Sequence, residues 1–148
     1  MNVGIVGYGW VAGAHIDALN SIDGIEVTAV CSSRPQDENE LSKKHGSSIK
    51  AFQDFGEMLS SDDIEVISIC SYPGQHKEHA IAAARAGKHL ILEKPLALSI
   101  EDCSEIRSAV LEANVRTCVC FECRYSSQFL ATKSVIDDGL LGNIHYGE

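Results

Sequence analysis

Gly7-Tyr8-Gly9-Trp10-Val11-Ala12 spells GxGxxA, a spacing by which a chain can offer bare backbone N–H groups to a diphosphate. The first glycine permits a tight turn, and the second lets phosphate oxygens approach the backbone. The small Ala12 lets a following helix lie close on the preceding strand. Such a run binds a dinucleotide only between a strand and a helix; elsewhere it marks a turn. Roughly 20 residues further on, at the end of the second strand, these sites hold an acid on the ribose 2'-hydroxyl. Here Ser32, Ser33 and Arg34 stand instead. Short hydroxyls with a guanidinium suit a 2'-phosphate, so NADP is expected over NAD; the alternative is an arginine turned into solvent beside Pro35.

Glu93-Lys94-Pro95 follows an apolar run, and the proline confines the lysine backbone to extended conformations. At the carboxyl end of a parallel strand, a lysine so fixed can hold a substrate hydroxyl and take part in proton transfer. Spacing alone describes a solvated lysine paired with Glu93 at least as well. His76 and His79, three residues apart, could share a helix face, but the plainer reading is solvated or cofactor-neighbouring imidazoles. Cys120-Phe121-Glu122-Cys123 is a CxxC, yet no second CxxC or HxxxH pair completes a zinc site. No metal is expected. Cys31, Cys70, Cys103, Cys118, Cys120 and Cys123 are read as mostly reduced, buried thiols.

The elements that must position these residues follow from periodicity and caps. Asn2 to Gly7 is a strand stopped by glycines, and Val11, His15, Ala18, Leu19 and Ile22 share helical spacing. Ile25 to Cys31 is a second strand, after which the chain turns into a polar helix ending near His45. Ser48 to Phe52 reads as a short strand, Asp54 caps a brief helix to Leu59, and Ile64 to Cys70 is too continuously apolar to be exposed. An Ala-rich helix from Gln75 to Ala86 ends at Gly87, Lys88 to Leu92 is a strand, and Ser99 opens a helix to Asn114. Val115 to Phe121 continues the alternation. About six alternations imply an α/β fold with a doubly wound, mostly parallel sheet covered on both faces. Ser126 to Asp138 then forms a helix closed by Gly139, and Asn143 to Tyr146 begins a strand without a partner.

The 148 residues carry 12 Lys+Arg against 21 Asp+Glu, a formal charge of -9, with no basic cluster to neutralise phosphates. General nucleic-acid binding is disfavoured. No run approaches the roughly 18 apolar residues of a membrane span, and Met1 leads straight into an apolar segment without a basic region or cleavage site. The expected compartment is the cytoplasm.

From these motifs the chain resembles the Gfo/Idh/MocA oxidoreductases. Gly7 to Ala12 with His15, Ser71-Tyr72-Pro73 with His76 after the fourth strand, and Ala86-Gly87-Lys88-His89 leading into Glu93-Lys94-Pro95 occur in the family's order. Glu-Lys-Pro is the most specific of them. Phe121, Arg124 and Tyr125, followed by Gly139, Gly142 and Ile144, are similar to the family's crossover into a second domain. Departures are Ala12 at the third glycine position, Glu122 where the family often has Asn, and Arg34 one place later than the Ser-Arg pair of NADP-preferring members. The resemblance implies a Rossmann domain over residues 1–122. Residues 123–148 would be the crossover helix and first strand of a C-terminal α+β substrate domain, most of which these residues do not include.

The function implied is NAD(P)-dependent hydride transfer between nicotinamide and a sugar, cyclitol or related polyhydroxylated substrate, with Lys94 catalytic. Cofactor contacts are implied for Gly7, Tyr8, Gly9, Trp10, Val11, Ala12, Ser32, Ser33, Arg34, Ser71, Tyr72, Pro73, His76, Glu93, Lys94 and Arg124. A homo-oligomer assembled through the C-terminal domain is also implied. The alternative is a non-catalytic dinucleotide-binding or redox-sensing module, and a thiol- or metal-based regulator built on Cys118, Cys120 and Cys123 is the weakest reading. The chain alone is expected to bind cofactor with little turnover, since it offers one wall of the pocket.

Overall fold

The structure, a computed structural model, describes residues 1–147. Its strands are β1 (Asn2–Val6), β2 (Glu26–Cys31), β3 (Lys50–Phe52), β4 (Val66–Ile69), β5 (His89–Leu92) and β6 (Thr117–Val119). The helices between and after them are α1 (Trp10–Asn20), α2 (Glu38–His45), α3 (Phe55–Leu59), α4 (His76–Arg85), α5 (Ile100–Glu112) and α6 (Ser127–Asp137). All six strands pair in parallel in the order β3-β2-β1-β4-β5-β6. Strand-to-strand neighbours of this kind need crossover helices, which cover both faces. The expected doubly wound α/β sheet is therefore present.

Side-chain alternation divides the core in two. Val3 and Ile5 of β1, Val27 and Val30 of β2 and Val66 of β4 meet Ala12 and Ile16 of α1 and Leu41 of α2. Val6, Ala29, Ile67, Ile69, Leu90 and Leu92 point the other way, against Met58 of α3, the alanines of α4 and Ile106, Ala109 and Val110 of α5. Burial on both faces explains why the central strands read as unbroken apolar runs rather than alternating ones. Helix starts are set by side chains: Asp37, Asp54, Ser99 and Ser126 each accept a first-turn N–H.

The ladder is shorter than the periodicity suggests at the two edge strands, where only one neighbour defines it. Asn143 to Tyr146, expected as a strand, is irregular; among the described residues no strand lies alongside to take its backbone groups, and an unpaired strand has nothing to stabilise it. Among the described residues no helix is long and apolar enough to cross a membrane.

The decisive feature of this order is the place of β1. Its chain continuation goes to β2 on one side, while β4 pairs on the other. The two loops leaving β1 and β4 consequently diverge at the carboxyl edge and leave a crevice between them.

Candidate dinucleotide cleft and active-site edge

Gly7 leaves β1 at φ +89°, and a Cβ there would lie 2.4 Å from the Cα of Ser71. Only glycine fits, because the turn after β1 is pressed against the backbone that leaves β4. The Gly7 N–H donates to the Cys31 carbonyl at 2.9 Å, tying the turn to β2 as well. Gly9 is the N-cap of α1, with no capping side chain and no acid in the first turn. The N–H groups of that turn, at the positive end of the helix, therefore have no side-chain acceptor. A Cβ on Gly9 would find nothing within 4 Å. The open space continues into a cleft of about 520 Å³ lined among others by Gly7, Gly9, Trp10, Ser32, Arg34 and Tyr72. Bare first-turn N–H groups beside open volume fit a dinucleotide's pyrophosphate.

The sequence-designated residues divide by what their side chains do. Ser32 is buried; its N–H donates to the Phe52 carbonyl at 3.0 Å and its Oγ accepts the Arg34 N–H at 3.3 Å. It shapes the loop, while Ser33 and Arg34 stand exposed. Trp10 is 98% exposed at the cleft mouth, whereas Ala12 is fully buried and lets α1 approach the sheet. Val11 is partly buried against the same cluster and also lines the cleft. Tyr8 lines the cleft, but its hydroxyl is bound to His45 Nε2 and Lys44 Nζ, each at 3.0 Å. Ser71 and Tyr72 line the opposite wall; Pro73 begins a single 3₁₀ turn, Pro73–Gln75, and is not part of the lining.

Six of the expected cofactor residues are not part of the cleft lining: Ala12 and Pro73, already placed, Glu93 and Lys94, which lie beyond it at the end of β5, and His76 and Arg124. His76 is 1% exposed, with Nδ1 2.8 Å from the Pro95 carbonyl and Nε2 3.0 Å from the Ser71 carbonyl. It is a strut between two loops rather than a crevice-facing imidazole, because the first turn of α4 aims it inward. Arg124 is exposed on a short 3₁₀ turn, Glu122–Tyr125, and does not reach the cleft lining. In place of His76 the cleft receives His79, whose Nδ1 bonds Ser71 Oγ at 2.9 Å and whose ring meets Phe55 edge-on at 4.9 Å. Burial holds the His79 pKa below its usual value, so the ring is neutral at pH 7. The three-residue spacing of His76 and His79 puts both rings near one helix face and carried no sign of which would enter the cleft.

Beyond the cleft, β5 delivers Glu93 and Lys94. Glu93 is buried; its Oε2 accepts the Lys94 N–H at 3.0 Å and its Oε1 lies 3.1 Å from His15 Nε2. His15 Nδ1 in turn is 2.8 Å from Ser68 Oγ. Lys94 therefore has no side-chain pair with Glu93. Its ammonium is half exposed and lies 3.7 Å from Glu122. Cys120, from the end of β6, offers its sulfur within 4.8 Å of both His15 and Glu93. Burial pushes this thiol up to about 11, with Cys118 and the carboxylates of Glu93 and Glu122 adding to the effect. Cys31 and Cys70 are buried as expected, but Cys118 and Cys123 are exposed and Cys103 and Cys120 only half buried.

The chain is 29% identical over 145 residues to a myo-inositol 2-dehydrogenase of Thermotoga maritima, covering 98% of this chain and 43% of that one. To a glucose-6-phosphate 3-dehydrogenase of Bacillus subtilis it is 34% identical over 142 residues, covering 96% and 39%. A crystal structure of scyllo-inositol dehydrogenase from Lactobacillus casei, with bound NAD(H) and scyllo-inositol, superposes with a TM-score of 0.84 at 28% identity, over 97% of this chain and 43% of that one. The chain thus spans about two-fifths of the length of these relatives. Residues 1–121 match the Gfo/Idh/MocA profile, described as an oxidoreductase family with an NAD-binding Rossmann fold, and with the parallel sheet and glycine turn already in place the chain belongs to that family.

Proposed function

We propose that the chain is the cofactor-binding part of an NAD(P)-dependent oxidoreductase that transfers hydride between nicotinamide and a sugar, cyclitol or related polyhydroxylated substrate. The observation that carries this is the uncapped N-terminus of α1 opening on the cleft at Gly9. Relatives described as inositol and glucose-6-phosphate dehydrogenases support the substrate class. The nicotinamide, when bound, supplies the hydride donor or acceptor. The chain's own residues bind the pyrophosphate through α1, orient the cofactor between the Gly7 and Ser71 loops, and bring a proton-handling ammonium on Lys94. Residues 123–148 are read as the beginning of a substrate domain: α6 buries none of its residues, and Phe129, Leu130, Leu140 and Leu141 are exposed.

The finer reading is a preference for NADP through Ser33 and Arg34. Arg34 is exposed at the cleft and enters no ion pair among the described residues. A charge-assisted bond to a 2'-phosphate contributes about 1.5–3 kcal/mol, roughly 10- to 150-fold in affinity.

Calorimetry on the chain tests both levels. Gly9→Val is expected to weaken NADPH and NADH binding at least tenfold, with an unchanged circular dichroism spectrum; unaltered affinity removes the cleft as the site. Arg34→Ala is expected to bring NADPH affinity down to that of NADH, and equal affinities in the unsubstituted chain would overturn the preference.

A further inference from the structure

We infer that His15, Glu93 and Cys120 form a binding site for a single thiophilic divalent cation, of which zinc is the type, at the carboxyl edge of β5 and β6. The three side chains come from α1, β5 and β6, and their ligand-capable atoms all lie within 4.8 Å of one another. A tetrahedral zinc bound at about 2.0–2.3 Å places its ligand atoms roughly 3.3–3.8 Å apart. Closing the cluster onto an ion thus requires a movement of about an ångström, and Cys120, at the half-exposed end of an edge strand, can make it.

The surroundings are those of a ligand set. A metal-bound imidazole is ordinarily oriented by a hydrogen bond at its other nitrogen. Ser68, fully buried within β4, provides this to His15 Nδ1 at 2.8 Å. A hydroxyl serves either tautomer: it donates to Nδ1 when Nε2–H points at Glu93, and accepts from Nδ1–H when the Nε2 lone pair is given to an ion. Ser68 Oγ has a second neighbour, Cys70 Sγ at 3.7 Å, towards which it can turn. Charge also balances. The carboxylate of Glu93 and a thiolate of Cys120 neutralise a divalent ion, so a partly buried site gains no net charge. The proton account is equally simple: the imidazole exchanges one N–H for the other, Glu93 binds as its anion, and the single proton released comes from the Cys120 thiol as its sulfur–metal bond forms. The fourth position is left to water.

This site owes nothing to the CxxC spacing. Cys123 takes no part, and the ligands are drawn together from positions 15, 93 and 120 by the parallel order of the sheet. It goes beyond the cofactor reading: Glu93 is among the implied cofactor contacts and holds the Lys94 backbone, but none of the three residues belongs to the lining of the dinucleotide cleft.

The test uses the reduced, metal-free chain carrying Cys118→Ser and Cys123→Ser, which removes the exposed thiols. Zinc is expected to form a one-to-one complex that survives gel filtration, with one proton released per ion. Cobalt(II) in its place is expected to show a thiolate-to-metal charge-transfer band from a single sulfur. Adding Cys120→Ser abolishes that band and lowers zinc affinity at least 100-fold, and His15→Gln lowers it at least tenfold, with circular dichroism reporting the fold. Absence of a one-to-one complex, a cobalt spectrum without thiolate, or zinc binding indifferent to Cys120→Ser overturns the proposal. The cobalt spectrum of the chain with Cys120 and His15 intact decides the matter even where those variants fold poorly. NADPH titration of the same sample keeps its outcome separate from that of the cofactor reading.

Discussion

The backbone of Lys94 is held by the carboxylate beside it, that carboxylate by His15, and His15 by Ser68. Its ammonium, by contrast, has only a half-exposed partner at 3.7 Å. A fixed stem with a loosely held charge suits a group that must meet a substrate, since a surface pair of this kind is worth roughly 0–1 kcal/mol. In a protein carrying this domain together with a substrate domain, Lys94→Ala is expected to lower kcat by 10²–10⁴-fold while cofactor Kd changes less than about threefold. Steady-state kinetics alongside calorimetry check this; near-normal turnover would make Lys94 a surface residue. Lys94→Arg is not expected to restore the rate, because a guanidinium does not release its proton near neutral pH. At this scale the sequence was legible where a motif is local. GxGxxA and Glu-Lys-Pro are contiguous, and their geometry follows from backbone sterics. It was illegible where a partner is remote: the link from His15 to Glu93 spans 78 residues, and nothing in the spacing of His76 and His79 says which ring faces inward.

Among the elements, alternation of short apolar runs with capped helices was enough to foresee every strand of the sheet and every helix. The signals were the continuous apolar run of β4, the left-handed glycines after α4 and α6, and the first-turn acceptors at Asp54 and Ser99. The crossover rule gave a doubly wound, mostly parallel sheet, but the order β3-β2-β1-β4-β5-β6 was not read from the sequence and came with the structure. The error at Asn143 to Tyr146 has the same origin. Alternating polarity specifies a strand only when a neighbour supplies hydrogen bonds, and periodicity carries no information about that neighbour. Helix α6 illustrates the converse, since its Ser126 cap and i,i+4 contact between Lys133 and Asp137 support it locally while none of its residues is buried.

For the molecule as a whole, the sheet and its two cores are complete before the 3₁₀ turn at Glu122, and no residue of α6 is buried. Removing residues 123–148 is therefore expected to leave the melting temperature within about 4 °C, equivalent to about 1 kcal/mol or less. Cofactor affinity should stay within about threefold. A larger loss in a thermal melt would mean that the segment belongs to this core. The same architecture places Cys31 and Cys70 at the ends of β2 and β4, both buried and both lining the cleft, with burial raising their thiols to about 11 and about 12. Only thiolate reacts with an alkylating agent, so at pH 8 these two are expected to be modified at least about 100-fold more slowly than the exposed Cys118 and Cys123. The chain thus carries two internal reporters of its cleft: alkylation of Cys31 and Cys70, followed by mass spectrometry, is expected to slow further when a dinucleotide fills the cleft that both residues line.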